Sequence, residues 1–121
     1  MVLGLAAAGA RVIATAARET AEVEAIVAES LSGGNVVPMI ADVASDEDCA
    51  RVVEMAHDRF GRLDILLINT GHGMKYVSKR FLRESARFWE TDPDVWRMVI
   101  DTNVNGPFLM ARAAVSGPDH P

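Results

Sequence analysis

Apolar residues along this chain switch between two spacings. Short continuous apolar clusters alternate with longer stretches in which apolar positions recur every three or four residues, and glycine, proline or a capping side chain marks each junction. Leu3 to Ala8 reads as the end of a helix, with Gly9 closing it. Arg11 to Ala16, around Val12 and Ile13, reads as a strand. Residues 19–31 place Val23, Ile26, Val27 and Leu31 on one helical stripe, which Gly33 and Gly34 stop. Asn35 to Ala41 predicts a second strand, and Pro38, which cannot donate to a ladder, assigns it to a sheet edge.

Ser45 and Asp48 predict a capping box that opens a helix carrying Cys49, Val52, Val53, Ala56 and Phe60, ended by Gly61. The run from Leu63 to Asn69 is apolar throughout its centre and delivers Asn69-Thr70-Gly71 as a polar turn. Such a run is expected to be a strand buried on both faces, with its turn at the carboxyl edge of a parallel sheet, where open α/β folds bind ligands. Asp92 followed by Pro93 predicts the start of a long helix through Val115. Within that helix Pro107 has no N–H to give the carbonyl of Asn103, which predicts a kink and a freed acceptor. Val77, Phe81, Ser85, Phe88 and Trp89 share a helical face, so residues 72–91 are expected to form an amphipathic helix over the cleft. Strands alternating with helices imply βαβ units and a parallel sheet.

Composition narrows the function classes. With 121 residues, half of them hydrophobic, there is material for one domain with a core. A net charge of −5 excludes a nucleic-acid binder, which needs a basic surface. The single Cys49 rules out a disulfide framework and reads as a core residue, and three scattered histidines without ligand spacing predict no metal site. No stretch reaches the roughly 20 apolar residues of a membrane span, and the N-terminus lacks the basic start of an export signal, so no membrane and a cytoplasmic location are the expectation.

Four motifs in order carry a resemblance. "AAAGARVIAT" around Gly9, the Asp42-Val43 pair, "DILLINTG" over residues 64–71 and "VIDTNVNGPFLMARAAV" over 99–115 resemble, from about Leu5 to Val115, the short-chain dehydrogenase/reductase family. The resemblance implies an incomplete Rossmann-like α/β fold: a doubly wound parallel sheet of about three strands with about four helices. Residues 1–115 are then a partial dinucleotide-binding domain and 116–121 an irregular tail. It further implies an NAD(P)-dependent oxidoreductase moving hydride between nicotinamide and a carbonyl or alcohol substrate, and a homo-oligomer formed through the 92–115 helix, where Trp96, Ile100, Val104 and Phe108 make a stripe that core burial would explain equally. The family's first strand and glycine-rich loop are expected before Met1 and its catalytic serine and Y-x-x-x-K pair beyond Pro121; Tyr76 with Arg80 is no substitute. Hence the alternative expectation, a non-catalytic interaction or dimerisation module with neither turnover nor tight nucleotide binding. In the sheet order of that family, strand 63–68 must either pair directly with strand 11–16 or leave an open edge.

The candidate site residues follow. The resemblance implies that Asp42 accepts from an adenine amino group with Val43 against the ring, although an Asx turn at Asp42 is the competing reading. Asn69, Thr70 and Gly71 turn tightly enough for the backbone to approach a ribose. Asn103 is implied as the catalytic asparagine. The end of the first strand here reads Thr15-Ala16-Ala17-Arg18, with no carboxylate for a ribose 2′-hydroxyl and a cation in Arg18, which favours NADP over NAD. Residues 72–91 hold five cations against two carboxylates, so they also suit an anionic substrate or partner.

Overall fold

The computed structural model describes residues 1–18, 20–29 and 35–117. Helix α1 (Val2–Ala7) ends where the pattern predicts. Gly9 takes φ +90° there, and the amides of Gly9 and Ala10 bond the carbonyls of Ala6 and Leu5, the paired closure of a Schellman end. Strand β1 (Val12–Ala16), helix α2 (Thr20–Glu29) and strand β2 (Val36–Ile40) form one βαβ unit with parallel strands, Val12 opposite Val36 and Pro38 opposite Ala14. In α2, Ile26 and Val27 are half-buried as the stripe requires; the expected stop at Gly33-Gly34, Leu31 and the Val23 side chain lie outside what is described.

Helix α3 (Asp46–Phe60) is capped by Ser45, whose Oγ accepts from the Asp48 amide at 3.2 Å, and it closes on Gly61 at φ +79°. The reciprocal half of the expected capping box is diverted. Asp48 takes the Asp42 amide at 2.8 Å instead of the Ser45 amide, which bonds the Asp42 carbonyl. Helix α4 (Pro93–Ile100) is capped by the Asp92 carboxylate on the Asp94 amide, and helix α5 (Gly106–Val115) ends the described fold, with residues 118–121 of the expected tail outside it.

The sheet carries helices on both faces. Ala6, Ala14 and Val36 make one buried cluster, flanked by Val2, Ala16 and Val27. On the other face Ala41, Cys49, Val52 and Met110 join α3 to α5, with Ile13, Met39 and Leu66 packed against them. Alternate residues of β1 thus serve opposite faces, as a doubly wound sheet demands. Cys49 is a packing residue of this cluster, and burial with the nearby carboxylates of Asp46, Asp48 and Asp42 pushes its thiol up.

Three expectations need correction. First, among the described residues the sheet has two strands where about three are expected: residues 63–69 form no ladder, which is the open-edge outcome of the two the sheet order allows. Among the described residues no backbone hydrogen bond between main-chain groups reaches residues 62–71. The segment still reads as a strand in its side chains, since Leu66 packs inward while Ile65 and Leu67 are 68% and 50% exposed. A cavity of 360 Å³ lies between it and β1, bounded by Ile13 and Thr15 on one side and Ile65 and Leu67 on the other. An edge without a neighbour in reach makes no bonds, whatever its sequence.

Second, residues 72–91 form no α-helix, only short 3₁₀ turns at Met74–Tyr76 and Phe88–Glu90, and every residue from 79 to 90 is exposed. A helix of that length draws its stability from a packed apolar face, and nothing here packs against it. Third, the long helix is interrupted a turn before Pro107 by a π turn over Asp101–Asn105. The Gly106 amide reaches back to the Asp101 carbonyl, and Pro107 falls in the first turn of α5, where no N–H is required. Along this helix Ile100 is half-buried but Trp96, Val104 and Phe108 are exposed, so core burial does not account for the stripe.

Gly106 lets the start of α5 sit against the loop after β2, because a Cβ there would stand 2.7 Å from Val43 Cγ2. Gly106→Ala should therefore lower unfolding free energy by about 1–3 kcal/mol. Urea denaturation followed by circular dichroism measures it, and an unchanged midpoint would show that the contact relaxes freely.

Candidate functional site

The ends of β1 and β2, the turn after the apolar run and the α4–π junction converge on one cleft. A cavity of 360 Å³ there is lined by Arg18 beyond β1, Asp42 and Val43 beyond β2, Thr70 and His72 from the turn, and Thr102 of the π turn. Its position outside the carboxyl ends of parallel strands is where α/β folds hold ligands, and its size is that of a small-molecule pocket.

Each lip has its own local cause. β2 ends at Ile40, and buried Ala41 anchors the chain before it leaves the sheet. Asp42 Oδ1 accepts from the Ala44 amide at 2.9 Å, so the competing Asx turn is formed. One carboxylate oxygen is engaged in that turn, and the group remains exposed at the cavity. Val43 is half-buried, held between the cavity and Gly106, while its carbonyl accepts from the Cys49 thiol at 3.4 Å. Arg18 is exposed at the mouth.

The opposite lip is fixed by Asn103. Its Oδ1 accepts from the His72 amide at 2.7 Å, and its Nδ2 donates to the His72 carbonyl at 2.9 Å. The same side chain lies against Gly71, where a Cβ would meet Asn103 Oδ1 at 3.4 Å. Gly71 thus gives the asparagine room. The His72 ring leans on Tyr76 with centroids 4.4 Å apart, and Lys75 lies over the Tyr76 ring at 5.1 Å. Asp101 accepts from Asn105 Nδ2 at 2.7 Å, and Arg97 pairs with Asp94 along the outer rim.

Of the residues singled out in the sequence, Arg18, Asp42, Val43 and Thr70 line the cavity together. Gly71 and Asn103 adjoin it through His72. Asn69 is exposed and does not line it. His72, Arg97, Asp101 and Thr102 were not anticipated. Thr102 carried a signal, because a polar residue just before Asn103 on a helix is exposed or has a reason to be buried, and here it is 6% exposed. Among the described residues no three histidine, cysteine or acidic side chains gather as metal ligands, and no helix is long and apolar enough to cross a membrane.

The family profile described as Enoyl-(Acyl carrier protein) reductase matches residues 1–117. The chain belongs to the short-chain dehydrogenase/reductase family. Among its relatives is the 3-oxoacyl-[acyl-carrier-protein] reductase of Synechocystis sp., 30% identical over 92% of this chain and 41% of that protein. Glucose 1-dehydrogenase 2 of Bacillus subtilis is 34% identical over 70% of this chain and 30% of its own length. A short-chain dehydrogenase/reductase of Serratia marcescens superposes with a TM-score of 0.78 at 28% identity, covering 94% of this chain and 43% of that one. The chain thus spans less than half the length of each of these relatives.

The Asn103 contact is the only tie found between the helix and the 71–73 turn among the described side-chain hydrogen bonds. Asn103→Ala should destabilise the fold by about 1 kcal/mol, the net worth of partly exposed hydrogen bonds. A urea titration reads this, and an unaltered midpoint would mean that the turn is held by something else.

Proposed function

We propose that this chain carries the adenosine side and the asparagine corner of an NAD(P)-dependent oxidoreductase, which moves hydride between nicotinamide and a carbonyl or alcohol. The observation that carries the reading is the convergence of Arg18, Asp42, Val43 and Thr70 on one cavity, beside an asparagine bonded to the adjoining turn. Asp42 keeps one carboxylate oxygen outside its Asx turn, enough to accept from an adenine amino group, and Val43 offers the ring an apolar wall. Gly71 and Thr70 bring backbone close to a ribose. Asn103 orients the turn beside the reacting end and shapes the site.

NADP is favoured over NAD. The residues between Thr15 and Arg18 include no carboxylate to accept from a ribose 2′-hydroxyl, and the Arg18 guanidinium at the mouth suits a 2′-phosphate. The general acid is another matter. The one tyrosine, Tyr76, leans on His72 and has Arg80, not lysine, four residues on, so these 121 residues supply no lysine-assisted phenol. Nor do they include a glycine-rich phosphate loop opening a helix. The chain by itself is thus expected to bind nucleotide weakly and to turn nothing over.

One observation favours a second reading. Trp96, Val104 and Phe108 stay exposed along the run from α4 through the π turn to α5, as a helix face that pairs with another copy would be, so a non-catalytic dimerisation module fits the chain taken alone.

Titrating NADPH and NADH into isotope-labelled protein tests the assignment. Amide shifts should cluster at Arg18, Asp42 to Ala44 and Thr70 to His72, with millimolar affinity that is stronger for NADPH. Micromolar affinity would overturn the weak-binding expectation. Shifts confined to other surfaces would overturn the cavity as the nucleotide site.

A further inference from the structure

The segment from Met74 to Glu90 is not absorbed by the cleft or by the core. Each residue from 79 to 90 is exposed, and large apolar side chains stand fully in solvent, Leu82 at 86%, Phe88 at 81% and Trp89 at 67%. Five cations and two carboxylates give residues 72–91 a net +3, which leaves −8 on the remainder of a chain of net −5. Both carboxylates are already paired within the segment, Glu84 with Arg80 at 2.9 Å and Glu90 with Arg87 at 3.3 Å. Among the described residues no carboxylate pairs Lys79 or Arg83.

The order of these residues has a period that the conformation does not use. Wound at 3.6 residues per turn, Met74, Val77, Phe81, Leu82, Phe88 and Trp89 fall within an arc of about 140°, which Ser78 and Ser85 share. Lys75, Lys79, Arg80, Arg83 and Arg87 occupy an arc of about 140° on the far side. A segment patterned so fully for a helix, and left without one, lacks the apolar surface against which to fold.

We infer that residues 74–90 are a membrane-surface element, which folds into an amphipathic helix on an anionic lipid bilayer. Two observations select a lipid surface over a protein groove. All of the apolar arc but Val77 is Leu, Phe, Trp and Met, side chains that enter the headgroup boundary, backed by lysine and arginine. The charge is segregated: a body of −8 is repelled by an anionic surface and this segment alone is attracted, so one orientation is selected. The inference does not depend on the nucleotide reading. It places the bilayer beside His72 and the cavity mouth, since the segment begins two residues beyond His72.

Vesicle flotation of the 121-residue chain tests it, because aggregates do not float. Vesicles of phosphatidylcholine with one-quarter phosphatidylglycerol should carry the protein up, pure phosphatidylcholine should not, and high salt should release it. In a Trp96→Phe background, which leaves Trp89 as the one tryptophan, its emission should shift to the blue and far-ultraviolet dichroism should gain helix. The exposed triple variant Lys79→Gln/Arg83→Gln/Arg87→Gln should bind on the order of 100-fold more weakly, from about 1 kcal/mol per cation near the surface. Leu82→Glu/Phe88→Glu should abolish binding while the urea midpoint stays put. Absence of flotation with folded protein, equal binding to neutral vesicles, or indifference to the triple variant would each overturn the proposal. So would a blue shift produced by an acidic protein but not by vesicles, which would assign the segment to a protein groove.

Discussion

The cleft depends on a two-point bond between the Asn103 side chain and the His72 main chain. The run from Leu63 to Ile68 has no ladder, so nothing in the sheet holds the turn that follows it. Asn103 supplies that missing restraint from the helix side, with one acceptor and one donor on the same peptide neighbourhood at 2.7 and 2.9 Å. An amide side chain is suited to this, since it offers both polarities in one plane and no charge. The π turn is what presents it. Five-residue spacing over Asp101–Asn105 shifts the helix register locally and moves Pro107 into the first turn of α5, so the proline costs no helix bond.

Local signals were legible in the sequence and non-local ones were not. Gly9, Gly61, Ser45 and Asp92 mark their junctions because a positive φ or a side-chain cap is decided within a few residues. The βαβ unit was legible for the same reason, as was Cys49 as a core residue. The ladder at residues 63–69, left open as one of two expected outcomes, and the helix over 72–91 are both unformed for a shared cause. Both depend on a partner surface that lies far away in sequence or is absent from these residues. The alternation of Leu66 against Ile65 and Leu67 shows that the side-chain pattern is obeyed even where the backbone bonds are not made.

Site legibility divides along the same line. Asp42, Val43, Thr70 and Arg18 follow strand ends, whose place in a parallel sheet is fixed, and they meet at the cavity. His72 was missed because it contributes its main chain to Asn103, and a main-chain role leaves no mark on residue type. The π turn was missed because a proline four residues after Asn103 suggests a bend, and helix register has no separate signal. The core built from these elements is thin. Its buried members are mostly alanine, valine and cysteine, while Ile65, Leu67, Leu82, Phe88, Trp89, Trp96 and Phe108 remain at the surface. Exposure of that kind marks surfaces meant for contact.

Amide hydrogen exchange tests the central claim most directly. If Asn103 is what holds the turn, the His72 amide should exchange more slowly than the amides of Ile65 to Asn69, which have no backbone acceptor among the described residues. Exchange at His72 as fast as in that neighbouring run would contradict the account, because the asparagine would then restrain nothing.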